Sequence, residues 1–239
     1  MKKIVIILLF ALPVVSIAQK DELTWDYPVK PGSQEWLRVE NYFQRLELLN
    51  IPDDILSKLS TKQLVKICFE YPQIELIFTK DNILNGISFV SVHFNGFIEL
   101  SRRKDAGKEL LRFYSNFDPN DYITEDKQGK IEHKKDFIVM ELMLSSPVIL
   151  RNMNEVERTE LLNVAYNMYE EKAKYWDKFY SEQISPNLLI MAQILEIDEP
   201  SAIIKSEMKD EMEILIQSGI TRNAEFVTAL INDVNEYLN

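Results

Sequence analysis

The stretch from Phe94 to Gly107 gathers the side chains best suited to bind a polar ligand. Glu99, Arg102 and Arg103 fall three and four residues apart, so on a helix they share neighbouring faces and a carboxylate can reach a guanidinium. Asn95 opens this segment and Asp105 stands at the junction with the next helix. An arginine offers a planar fork of donors, so Asn95, Glu99, Arg102, Arg103 and Asp105 are the candidate binding residues for an anionic or sugar-like ligand. The same residues also read as a salt-bridged helix junction with Asn95-Gly96 as its turn. Glu99 alone is not an acid catalyst for glycan cleavage, which normally needs a second carboxylate across the scissile bond. With 38 acidic residues in the chain, sequence proximity cannot choose that partner. No catalytic residue is assigned.

Other chemistries find little support. A lone cysteine, Cys68, cannot form a disulfide within the chain or build a multi-cysteine metal site. It lies in the apolar run Leu64–Phe69 and reads as a buried, inert thiol. The two histidines, His93 and His133, carry no HExxH pattern. With Gly129 at the sixth position of a calcium loop, Thr124 falls first and Lys135 last, where carboxylates belong, so the loop fails at both ends. No nucleotide fingerprint and no GxSxG nucleophile turn is present. The expectation is no metal and no cofactor. The rings of Tyr166, Tyr169, Tyr175, Trp176, Phe179 and Tyr180 offer a sugar-stacking platform, yet Tyr169, Trp176 and Phe179 keep helical spacing and read first as core. Acidic runs such as Glu170-Glu171 read as solvated faces.

The elements that position these residues are helical throughout. Ser33 caps a helix carrying Trp36, Val39, Tyr42, Phe43, Leu46 and Leu49. Pro52 starts a short one, and Ser60 caps another that stops at Tyr71-Pro72. Helices follow through Ile74–Phe78, Ile83–Phe94, Phe97–Arg103 and Asp105–Phe117. Residues 118–135 are the one long polar interruption, read as a loop with one small β-hairpin near 121–133. Beyond it come Phe137–Leu144, a turn opened by Ser146-Pro147, a long helix capped by Asn154 and running to about Tyr180, and one started by Ser185-Pro186. Pro200-Ser201 starts the next helix, which Gly219 stops, and Thr221 caps the last.

The expected fold is all-α: an irregular helical array of about ten to twelve helices, HEAT-like or α-α superhelical. An internal echo supports stacking. A proline-opened short helix, a polar cap and a longer amphipathic helix occur at Pro52–Cys68 and again at Pro147–Ala165. The expected layout is a single all-α domain over 33–239 behind an irregular lead-in at 19–32.

Leu49–Pro52, Ser60–Pro72, Phe94–Leu100 and Arg103–Ala106 resemble segments of a group of secreted bacterial all-helical proteins of unknown function, over about residues 33–170. The resemblance implies an all-α body and an exported protein. It brings no activity and no assigned residues.

The first 18 residues read as an export address. Met1–Lys3 is basic, Ile4–Ile17 is 14 residues of almost wholly apolar character, and Ser16 and Ala18 place small residues before Gln19. A membrane-spanning helix needs about 20 apolar residues, so cleavage after Ala18 is the expectation. Losing Lys2 and Lys3 takes the formal charge from −11 to −13. So acidic a surface excludes nucleic acid as the expected partner, since phosphate binding needs basic groups. These readings combine into an exported, soluble, non-enzymatic helical binding or scaffold protein, periplasmic or secreted, whose partner is another protein or a glycan of the cell envelope. The alternatives are a carboxylate-based glycan hydrolase and an inhibitor or partner of a co-secreted enzyme.

Overall fold

The computed structural model describes residues 25–118, 127–174, 181–198 and 208–239, with backbone alone for 127–134 and 181–183. Thirteen α-helices and one 3-10 helix make up the described residues, and no strand is found among them. They are α1 (Gln34–Arg38), α2 (Tyr42–Glu47), α3 (Asp53–Leu56), α4 (Thr61–Phe69), the 3-10 helix (Ile74–Thr79), α5 (Ile83–His93), α6 (Asn95–Arg102), α7 (Ala106–Tyr114), α8 (Lys127–Leu144), α9 (Pro147–Asn152), α10 (Glu155–Ala173), α11 (Ser181–Asp198), α12 (Lys209–Ser218) and α13 (Ala224–Leu238).

Capping sets most of the boundaries. The Ser60 hydroxyl accepts from the Gln63 N–H while the Gln63 side chain accepts from the Ser60 N–H, and Asn154 and Glu157 repeat this reciprocal box. The internal echo is therefore structural: α3–α4 and α9–α10 each pair a short helix with a box-capped longer one. Asn82 and Asn223 cap α5 and α13 through their side-chain oxygens.

Several expected boundaries move. The helix expected from Ser33 to Leu49 is two helices. Val39 turns extended, its carbonyl accepts from Arg45 Nε at 2.5 Å, and Asn41 caps the chain again. The expected β-hairpin near 121–133 is not formed over 127–133, which belong to α8, and 121–126 lie outside the described residues. In that stretch Ile131 is a single apolar residue among polar ones and fits either period. The polar loop expected at 118–135 accordingly shrinks from its C-terminal side. Asn95-Gly96 do not break a helix but form the first turn of α6; the chain bends at extended Phe94, where α5 and α6 meet at 97°. Pro186 lies inside α11 rather than at its start. Thr221 is not the last cap. It is buried, its N–H donates to Ser185 Oγ at 3.1 Å, and Asn223 caps α13 instead.

Two helices form the centre. Every residue from Phe137 to Leu144 in α8 and from Ile184 to Leu195 in α11 is buried. A helix apolar all round must be enclosed on all sides. α11 is covered by α8, α10, α12 and α13, and α8 also packs on α7. On the N-terminal side α4 lies against α6 and α7, and α5 against the 3-10 helix. That last approach needs Gly86, because a Cβ there would stand 1.9 Å from the Ile77 carbonyl oxygen. The lead-in is held to the body by its aromatic residues. Tyr27 is buried, its hydroxyl donates to the Ile67 carbonyl at 2.7 Å, and Trp25 packs edge-on against it. The buried apolar side chains form one cluster from Tyr27 to Val234. Among the described residues no single helix is long and apolar enough to cross a membrane.

Candidate functional site

The polar residues singled out between Asn95 and Asp105 meet at the junction of α3, α4, α6 and α7. Asn95 accepts from the Ile51 N–H at 2.9 Å and donates Nδ2–H to the Ile51 carbonyl at 2.7 Å. Arg103 lies near the end of α3. Its Nη1 donates to the Leu59 carbonyl at 2.6 Å, its Nη2 to the Leu56 carbonyl at 3.2 Å, and its Nε to Glu99 at 3.0 Å. These carbonyls lie at and just beyond the C-terminus of α3, where free backbone acceptors favour a cation. Asp105 does not cap α7 with its side chain; Oδ1 accepts from the Thr61 hydroxyl at 2.8 Å. Arg102 is exposed, with no hydrogen bond joining it to the other four. The structure thus brings Asn95, Glu99, Arg103 and Asp105 to one junction, and ties each of them to the chain itself.

A cleft of about 690 Å³ opens instead between α5, α6, α8, α9, α11 and α12. Its lining is mainly apolar: Leu84 and Ile87 from α5, Phe97 and Leu100 from α6, Leu142 and Met143 from α8, Ile149 from α9, Ile197 from α11 and Ile216 from α12. Five serines, Ser88, Ser91, Ser101, Ser145 and Ser146, add hydroxyls. Two of these are turned back on their own helices: Ser101 donates to the Ile98 carbonyl at 2.8 Å and Ser145 to the Leu142 carbonyl at 3.0 Å. The wall is therefore less polar than its composition. Arg151, Gln193 and Glu196 complete it, and Glu196 is the one carboxylate among its described lining residues. The helical stripes that build it were legible in sequence, but the serines between them carried no signal.

A second polar assembly lies fully inside the protein, where α7, α8, α10 and α11 meet. Glu141 and Lys172 are both 0% exposed, and Lys172 Nζ donates to Glu141 Oε1 at 2.5 Å. The Tyr114 hydroxyl donates to the same oxygen at 2.8 Å. Asn187 accepts from Lys172 Nζ at 2.7 Å through Oδ1 and donates Nδ2–H to the Tyr114 hydroxyl at 2.6 Å. Lys172 Nζ also stands 4.7 Å from the centre of the Phe137 ring. Burial pushes the Glu141 carboxyl up against the pull of Lys172, and it pushes the Lys172 ammonium down. Burial likewise drives the Tyr114 hydroxyl well above its ordinary value. Sequence reading missed this quartet. Glu141 did carry a signal, as the one charge in the apolar run Phe137–Leu144, but Lys172 follows Glu170-Glu171 and looked solvated.

Other candidates resolve into structure. Cys68 is buried, and burial pushes its thiol well above the ordinary value. The His93 ring is stacked between Phe89 and Phe43, at 4.2 and 5.5 Å. Arg158 holds Asp198 with Nε at 2.7 and 2.9 Å from the two carboxylate oxygens, joining α10 to the end of α11. Tyr169 packs partly buried against the core, whereas Tyr175, Trp176, Phe179 and Tyr180 lie outside the described residues. Among the described residues no three of His, Cys, Asp and Glu converge to hold a metal ion. No protein-family model, no curated protein and no solved structure matches this chain.

Proposed function

We propose that this chain is an exported helical binding protein whose ligand, an elongated apolar molecule such as an acyl or alkyl chain, lies in the cleft between α5, α6, α8, α9, α11 and α12. The observation that carries the reading is the cleft itself. Its volume, about 690 Å³, falls within the span typical of small-molecule sites, about 300–1,000 Å³. Its wall is mainly aliphatic, with Phe97 as its ring, and an apolar chain entering it sheds water from both surfaces. Arg151, Gln193 and Glu196 supply the polar contacts that fix a head group's orientation. Export rests on the basic start, apolar run and small-residue site of residues 1–18, and the likeness to secreted helical proteins is in keeping with it.

The test is native mass spectrometry on protein purified from its own cells without detergent, followed by solvent extraction of the bound fraction. The expected result is a one-to-one complex with an apolar molecule, on a chain whose N-terminus is Gln19. A chain that carries nothing and takes up no long-chain fatty acid on incubation contradicts the binding reading. A chain that retains Met1 contradicts export.

A further inference from the structure

We propose that Lys172 and Asn187 join through an intramolecular isopeptide bond that ties α10 to α11. The geometry is that of an amine held against a carboxamide. Lys172 Nζ lies 2.7 Å from Asn187 Oδ1, and since a C=O bond is about 1.23 Å long, Nζ is at most about 3.9 Å from the Cγ it attacks. Reacting groups fixed this close gain the advantage of an intramolecular reaction. Glu141 touches the nucleophile and, through Tyr114, the leaving group: Nζ to Oε1 is 2.5 Å, Oε1 to the Tyr114 hydroxyl 2.8 Å, and that hydroxyl to Asn187 Nδ2 2.6 Å. The four groups close a ring of proton contacts around the bond that must change.

The surroundings favour the reactive protonation state. An amine attacks only when neutral, and both Glu141 and Lys172 are enclosed without solvent contact beside the Phe137 ring. Glu141 Oε2 has no hydrogen-bond partner, and an unpartnered oxygen is less costly on a neutral carboxyl than on a carboxylate. Burial pushes the two groups toward one another's protonation state.

In the reaction Nζ forms a bond to Cγ, and the Cγ–Nδ2 bond breaks. Of the three protons on the Lys172 ammonium, one remains in the new amide. A second reaches Nδ2 through Glu141 and Tyr114, which makes ammonia the leaving group. The third rests on Glu141 until the departing ammonia carries it away as ammonium, restoring the carboxylate. One amide replaces another, nothing is oxidised or reduced, and no further reactant is needed. The lone cysteine leaves the chain without an internal disulfide, so this bond would be a covalent staple of a different kind.

The test is peptide mapping with intact-mass measurement on the native protein. The expected result is a branched peptide joining the Lys172 and Asn187 segments, no tryptic cleavage after Lys172, and a chain lighter by one ammonia. Cyclisation of an N-terminal Gln19 also removes ammonia, so the branched peptide decides. Glu141→Gln should restore separate peptides and the full mass at this site. Recovery of unmodified Lys172 and Asn187 peptides from the native protein overturns the proposal, and so does a branched peptide undiminished in Glu141→Gln. The map of the native chain decides even where that variant does not fold.

Discussion

Asn95 and Ile51 exchange two hydrogen bonds, the Asn95 carboxamide taking the place of a neighbouring backbone: the Ile51 N–H donates to Oδ1 at 2.9 Å and Nδ2–H returns to the Ile51 carbonyl at 2.7 Å. Ile51 is buried between α2 and α3, so its backbone has no water to fall back on. Asn95→Ala should therefore cost about 2–3 kcal/mol, from two lost bonds and an unpaired buried donor and acceptor. Urea unfolding checks this. A change below about 0.5 kcal/mol, the level of an ordinary surface substitution, would contradict the role given to Asn95.

Arg103 acts as a fork on the end of α3, and only a guanidinium reaches the carbonyls of Leu56 and Leu59 and the Glu99 carboxylate together. Arg103→Lys should lose about 1–3 kcal/mol in the same urea experiment. Glu99→Gln should lose less than about 1 kcal/mol, because the pair is partly exposed and the carbonyl bonds survive. Equal losses from the two variants would show that the ion pair, not the backbone clamp, holds the junction.

Gly86 sets how closely α5 approaches the 3-10 helix. Gly86→Ala puts a methyl group 1.9 Å from a backbone oxygen, which cannot rotate away as a side chain could. The expected cost is about 1–3 kcal/mol, read as a lowered melting temperature, while Ser88→Ala on the exposed side of the same helix should be near neutral. An unchanged melting temperature for Gly86→Ala would mean the two elements separate freely.

The sequence made the class of fold legible because helical caps are local. Ser33, Ser60 and Asn154 each bond within three or four residues, so their chemistry is visible without tertiary structure. What escaped depended on distant partners. Ser185 before a proline looks like a cap, yet its hydroxyl clasps Thr221, 36 residues away, and the helix runs through it. The quality of the candidate site was hidden for the same reason. Asn95, Glu99, Arg103 and Asp105 stand close together in the sequence, but Leu56, Leu59 and Thr61, which bond Arg103 and Asp105, sit some 40 residues upstream and make the junction a clamp. Lys172 beside two glutamates is likewise indistinguishable in sequence from a solvated lysine.

Cys68 gives the chain an alkaline signature. Burial raises its thiol above the unfolded value, so the folded state resists ionisation that the unfolded chain accepts. The stability this contributes is whole below the unfolded thiol's pKa and falls as the pH rises beyond it. Cys68→Ala should flatten the decline of unfolding free energy on the alkaline side. Thiol reagents should label native protein only in denaturant, and rapid labelling without it would show the thiol to be accessible.

A titration tests the cleft as the ligand site directly. A fluorescent long-chain fatty acid should saturate the wild-type protein at one equivalent with a rise in emission. Ser91→Trp, which fills the cleft from α5, should abolish that rise, while Glu99→Gln at the α3 clamp should leave it intact. A probe that binds Ser91→Trp as tightly as wild type, or binds neither, would contradict the cleft as the ligand site.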